Sequence, residues 1–179
     1  MLTLSKILKL RYDFLIGDLF YLTVASICIF IIFYFNLNYK IAPESWYQIG
    51  EAILLGIATT IVVWWLSYIP IFKSIEGEFK EILVGSSIID YFLLSLSSAV
   101  GEELFFRGLI QYRYGILISS CLFACVHIPT KPTLIGWPLF ALLMGLWLGF
   151  IFKIKLNISY PIIIHFIVNF IGMIRIGKV

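Results

Sequence analysis

Charge is what this sequence has least of. Only 13% of its 179 residues are Asp, Glu, Lys or Arg, against 61% hydrophobic. Soluble domains carry about 25% charged and about 45–50% apolar residues. A soluble fold of this length could not hide so much apolar surface, and the same excess excludes intrinsic disorder. Cysteine is scarce too. Cys28, Cys121 and Cys125 all lie in apolar runs, so no secreted disulfide framework is expected. With 13 Gly and 6 Pro, a collagen-like chain is excluded. No internal repeat or low-complexity segment occurs, and no polar connection is long enough for an extramembrane domain. The net charge of +3 is small and scattered, which argues against a nucleic-acid partner. What remains is a polytopic membrane protein: an all-α bundle that forms one integral membrane domain over residues 1–179.

A spanning helix needs about 20 mostly apolar residues. Five runs qualify: Phe14–Phe35, Ile49–Phe72, Ile82–Val100, Leu134–Phe152 and Leu156–Ile174. The first two make a pair of N-terminal transmembrane helices within 14–72. A shorter run, Ile116–Ile128, spans only if it extends back through Leu109 or is held inside the bundle. The expectation is therefore about six membrane helices, with Gly101–Gly115 as the segment of open assignment. The basic N-terminal stretch with Lys6, Lys9 and Arg11 leads into a run too long for a cleavable signal, so none is expected. If six helices alternate, Lys and Arg divide eight to five in favour of the side that holds both termini, which favours a cytoplasmic placement for them.

A charge at the bilayer centre costs roughly 2.5–3.5 kcal/mol on insertion scales. Polar residues inside these runs therefore need a reason. Three clusters stand out, all in the second half. In Gly101-Glu102-Glu103-Leu104-Phe105-Phe106-Arg107-Gly108, Glu103 and Arg107 are i and i+4 on a helix and can pair. Glu102, about 100° away, is left free. An ordinary charged helix end is the plain alternative. The second cluster is Phe123-Ala124-Cys125-Val126-His127, where a lone His is as a rule a hydrogen-bonded structural residue. The third, His165-Phe166-Ile167-Val168-Asn169, sets two polar side chains on one helix face. Interhelical hydrogen bonding is its plain reading. Taken together, one carboxylate, two imidazoles and an amide from three helices suit hydrolysis by activated water. A Glu in a low-dielectric site makes a general base, and an imidazole with an amide N–H can face an oxyanion.

These clusters resemble the motifs of the CPBP family, the CAAX-protease and bacteriocin-processing or Abi proteins, which are glutamate-type intramembrane endopeptidases. The family's EExxxR, FxxxH and HxxxN appear here as Glu102-Glu103 with Arg107, Phe123 with His127, and His165 with Asn169. The resemblance covers roughly residues 86–175, which would form the catalytic core. It implies a membrane protease without a required metal or cofactor. Glu102 would activate water with His127 assisting, and His165 and Asn169 would form the oxyanion site. Glu103 and Arg107 would hold the geometry of the first motif, with Phe123 packed beside it. The implied substrate is a membrane-anchored peptide or protein in the lipid bilayer. Small size and short loops fit a prokaryotic plasma-membrane member, which makes a prenylated CAAX substrate the less expected one.

Several rivals remain. A zinc protease could use two His and two Glu, but no H-E-x-x-H helix occurs. A di-iron site lacks the Glu-x-x-His pair. A Cys125 nucleophile is disfavoured because Cys125 and His127 point to different helix sides. A non-enzymatic immunity or membrane-binding protein would keep the motifs for packing. A small carrier could line a path with Asp18, Glu51 and Asp90. Asp18 and Glu51 sit near run ends, and a basic partner is expected for the deeper Asp90. The Gly145-x-x-x-Gly149 spacing is expected to serve close packing within the chain rather than dimerisation.

Overall fold

Without water, a chain in hydrocarbon must satisfy its own backbone N–H and C=O groups, and apolar runs do so as helices. The computed structural model describes residues 4–83, 85–129, 131 and 134–178. In order it has α1 (Leu4–Tyr34), α2 (Trp46–Leu66), α3 (Pro70–Leu83), α4 (Ile88–Glu103), a π-helical segment (Leu104–Gln111), α5 (Tyr112–Val126), α6 (Gly136–Lys155) and α7 (Ser159–Lys178). Among the described residues there is no strand, only an isolated bridge between Lys40 and Asn157. The protein is a helical bundle, as its composition requires.

Five helical stretches are long and apolar enough to cross a membrane: Tyr12–Tyr34, Trp46–Leu66, Ile88–Val126, Gly136–Lys155 and Ser159–Gly177. The third contains 39 residues. At 1.5 Å per residue it would reach about 58 Å, roughly twice the hydrocarbon thickness. It does not run straight. Gly115 has φ +85° and ψ 173°, which only glycine takes without strain, and the chain folds back there. The expected sixth run therefore appears as the short helix after Gly115, which buries Ser119, Ser120 and Phe123 against the π segment and α6 and leaves its other face exposed.

Connections alternate between two ends. At one, Lys40 N–H donates to the Leu156 carbonyl, Ile158 N–H donates to that of Lys40, and Tyr39 packs on Tyr112. At the other, Phe14, Leu83, Tyr91 and Phe79 cluster, and α3 lies across the helix ends. On α2, exposed Trp46 and Tyr47 mark one end and exposed Trp64, Trp65 and Tyr68 the other. Trp46 and Trp64 are about 27 Å apart along a helix, matching a bilayer with an aromatic belt at each face.

Three sequence expectations need correction. The run 49–72 is not one helix: α2 stops at Leu66 and Pro70 opens α3, at the first helical position where its missing N–H is harmless. The run 82–100 is also divided, because α3 ends at Leu83 and α4 starts at Ile88. Asp90 is consequently no deep charge with a basic partner. It closes a capping box: its Oδ2 accepts from Ser87 N–H at 2.7 Å, and Ser87 Oγ accepts from Asp90 N–H at 3.2 Å. Asp18 accepts from Ser97 Oγ at 2.6 Å, and Glu51 holds Lys155 at 2.5 Å and Tyr160 at 2.6 Å. These three carboxylates have separate partners and line no common path.

Candidate active site

The first motif straddles the change from α4 to the π segment. In an α-helix, side chains four apart drift by about 40°. The wider π turn reduces that drift. Glu103, Arg107 and Gln111 therefore stay in line, and all three are buried. Arg107 Nη1 donates to Glu103 Oε1 at 3.0 Å, with the two side chains 1% and 0% exposed. Its Nη2 donates to the Gly145 carbonyl at 3.3 Å, and Gln111 Nε2 donates to the Gly149 carbonyl at 2.7 Å. The absence of side chains on those glycines admits the contact. A Cβ at Gly149 would come within 2.6 Å of Gln111 Oε1, and one at Gly145 within 3.1 Å of Ser120 Cβ. The Gly145–Gly149 pair is used for packing inside the chain.

Glu103 Oε1 has a second donor, His165 Nδ1 on α7, at 2.7 Å. The carboxylate thus ties Arg107 to His165 and fixes the imidazole with Nε2 as its free edge. That Nε2 lies 3.9 Å from Glu102 Oε2. Glu102 is 11% exposed and Glu103 fully buried, so adjacent carboxylates sit in different surroundings.

His127 stands at the C-terminal end of α5. Its Nδ1 lies 2.6 Å from the Phe123 carbonyl. A carbonyl only accepts, so Nδ1 carries the hydrogen and Nε2 is the bare nitrogen of the neutral ring. Phe123 has a further contact: the Arg107 guanidinium sits over its ring, 4.6 Å from the centroid. Asn169 Nδ2 points to Ser98 Oγ at 3.5 Å.

Glu102, His127, His165 and Asn169, drawn from α4, α5 and α7, all line one cavity of about 310 Å³. Beyond them its wall is mostly apolar, with Phe72, Ile75 and Phe79 of α3 and Phe140 and Met144 of α6. A second cavity of about 660 Å³, between α1 and the α5–α6 connection, meets the first at Glu102 and His127. Phe79 and Trp137 border both, with ring centroids 4.7 Å apart. Above them Lys131 Nζ pairs with Glu78 Oε2 at 2.5 Å, and that carboxylate raises the lysine's proton affinity, so the tie stays charged.

Among the described residues, no three His, Cys, Asp or Glu side chains group so as to hold a metal ion. Cys121 and Cys125 are exposed and line neither cavity. Sequence reasoning missed several neighbours. Gln111, eight residues after Glu103, was legible only to a reader expecting a π turn. Ser98 and Trp137 carried no signal, and Tyr21 of α1, which lines both cavities, is 81 positions from Glu102.

Comparison with known proteins agrees with the motifs. Residues 84–171 match the family model described as type II CAAX prenyl endopeptidase Rce1-like. An uncharacterised protein of Bacillus subtilis (strain 168), YpbD, is 29% identical over 127 residues, which is 69% of this chain. The match spans 64% of that relative's length. No solved structure matches. Over residues 84–171, just under half of its length, this multi-pass membrane protein is thus similar to the Rce1-like family.

Proposed function

We propose that the chain is a glutamate-type intramembrane endopeptidase that cuts a membrane-anchored peptide or protein. The observation that carries this is the convergence of Glu102, His127, His165 and Asn169 on one cavity. Glu102, the carboxylate not tied to Arg107, takes a proton from water. His127 Nε2 accepts the other water hydrogen and aims the oxygen. The hydroxide attacks the scissile carbonyl carbon, and the C=O electron pair moves onto oxygen. The resulting oxyanion is met by the Asn169 amide and by His165 Nε2–H in its imidazolium form, held from behind by Glu103. Glu102 returns its proton to the departing nitrogen as the C–N bond breaks. No metal and no cofactor enter. A prokaryotic plasma membrane is the proposed location, and no particular substrate sequence is assigned.

The test is purified protein in liposomes with two quenched fluorescent peptides, one farnesylated at a CAAX end and one anchored by an apolar helix. Wild type should cut at least one, and Glu102→Gln should lower kcat by about 10²–10⁴-fold, the range for a general base. Cleavage of neither peptide, or full cleavage by folded Glu102→Gln, would falsify the reading. Loss of activity on chelation with recovery on adding zinc would replace it with a metalloprotease.

A further inference from the structure

The cavity that holds Glu102, His127, His165 and Asn169 has a cation at its far end. Among the described residues, Arg175 is the only Lys or Arg on its wall. Arg175 shares α7 with His165 and Asn169. It lies about 9 Å along the helix beyond Asn169 and about 15 Å beyond His165. The wall between is mostly apolar, so a charge at this end selects an opposite charge on whatever fills the cavity. The guanidinium already holds one carboxylate: its Nη2 donates to Glu76 Oε1 of α3 at 2.9 Å. Ser67 Oγ accepts from Nη1 at 3.1 Å and from Nη2 at 3.2 Å, and Arg175 Cζ stands 5.2 Å from the Trp64 ring centroid. Ser67 and Trp64 thus hold the planar fork in place, and Glu76 shows that a carboxylate fits it. The side chains of Arg175 and Glu76 are 33% and 32% exposed. An ion pair that wet is weak, so one carboxylate can be exchanged for another.

We propose that Arg175 is a specificity-determining residue that takes a carboxylate of the substrate in exchange for Glu76, about three to four residues beyond the bond that is cut. The inference rests on this cavity being the site of hydrolysis. The spacing follows from chain geometry. An extended peptide covers about 3.3–3.6 Å per residue, so three to four residues bridge the distance from the oxyanion groups to Arg175. The direction follows from the second cavity. Its rim residues Phe20, Val126 and Ile128 are exposed, and this opening towards lipid suits the anchored side of the substrate. The first cavity is left for the side that is released. Arg175 and Glu76 both lie outside 84–171, so the family likeness carries neither of them.

The test compares wild type, Arg175→Gln and Glu76→Gln in liposomes, with three versions of the cleaved peptide. The first ends in a free carboxylate three residues beyond the cut bond, the second in the amide of that end, and the third in the amide with Asp as its last residue. For wild type, KM should be about tenfold lower for the acid than for the amide, the gain from charge-assisted hydrogen bonds. Arg175→Gln should bring that ratio to about one. Glu76→Gln should widen it severalfold, because the competing carboxylate is gone. A third peptide that behaves as the acid supports a seat for any carboxylate at this distance; one that behaves as the amide supports a seat for the chain end. Equal KM for all three in wild type overturns the proposal, and so does a ratio that Arg175→Gln leaves standing. If the pair merely pins α3, both variants should shift KM the same way and lower the unfolding temperature alike, and that result overturns the proposal too. Glu102→Gln keeps the two claims apart. Full activity in that variant removes the general-base reading, whereas the acid-to-amide ratio still decides the role of Arg175.

Discussion

The two halves of this chain solve the same problem in opposite ways. In α1 and α2 the hydroxyls donate back to their own helix, Thr23 to Leu19, Ser26 to Leu22, Thr59 to Leu55 and Thr60 to Gly56, while the carboxylates Asp18 and Glu51 meet other helices. From α4 onward a buried set of side chains joins one segment to another. Ser119 donates to Phe106, Arg107 to Gly145, Gln111 to Gly149 and His165 to Glu103. A hydroxyl that bonds its own helix needs no neighbour and fixes none. A network that spans helices fixes their relative position, which is what a catalytic constellation requires. The difference separates polar residues that lipid merely tolerates from those that hold a site.

The largest expected effect tests the buried end of that network. Glu103→Gln leaves the Arg107 guanidinium, 1% exposed, without its countercharge. Removing one partner of a buried pair costs about 3–5 kcal/mol, because the remaining charge is not resolvated. Unfolding in detergent should show a loss of that size. The double variant Glu103→Gln with Arg107→Met should recover much of it, while activity stays low because His165 has lost its support. The matched change in the first half is Glu51→Gln, whose pair with Lys155 is about 30% exposed. It should cost about 1 kcal/mol or less. Equal costs for Glu103→Gln and Glu51→Gln would erase the division between the halves.

Much of this second-half network was legible from the residues alone. Spacing four apart named Glu103 with Arg107 and His165 with Asn169, and scarcity named Glu102 and His127, since so few polar groups interrupt the apolar runs. The pairing of His165 with Glu103 was not legible, because it joins residues 62 apart through the packing of α7 on α4. Runs of hydropathy also misled locally. Ile82–Val100 reads as one apolar stretch, yet Ser87 and Asp90 start a helix inside it. A capping box is a local signal that hydropathy averages away. The π turn was hidden for a related reason: nothing in Leu104–Gln111 opposes an ordinary α turn, and the alignment of Arg107 and Gln111 on α6 selects the wider one.

Smaller effects sharpen the contrast through a matched pair of hydroxyls. Ser119 Oγ and Thr23 Oγ1 each donate to a backbone carbonyl at 2.7 Å. Ser119 is buried and its acceptor, Phe106, belongs to the π segment thirteen residues away. Ser119→Ala leaves that carbonyl one donor short where lipid cannot replace it, at a cost of about 1–3 kcal/mol. The π segment carries Arg107, so kcat should fall along with the unfolding temperature.

Thr23→Val is the smallest expected change. Thr23 is an exposed residue of α1 facing lipid, and its hydroxyl returns to Leu19, four residues earlier in the same helix. The Leu19 carbonyl keeps its helical N–H partner when the hydroxyl goes. Valine preserves the β-branched shape and suits hydrocarbon better than a hydroxyl does. Polar bonds in membrane helices average only about 0.6 kcal/mol even between helices. The change should therefore lie within about 0.5 kcal/mol of zero in unfolding and leave kcat unaltered. Thr23 lies only two residues from Tyr21, which lines both cavities with Glu102, so a large loss of kcat here would mean that even the lipid-facing side of α1 acts on the site. A null result restricts the contribution of α1 to the face that meets Gly101.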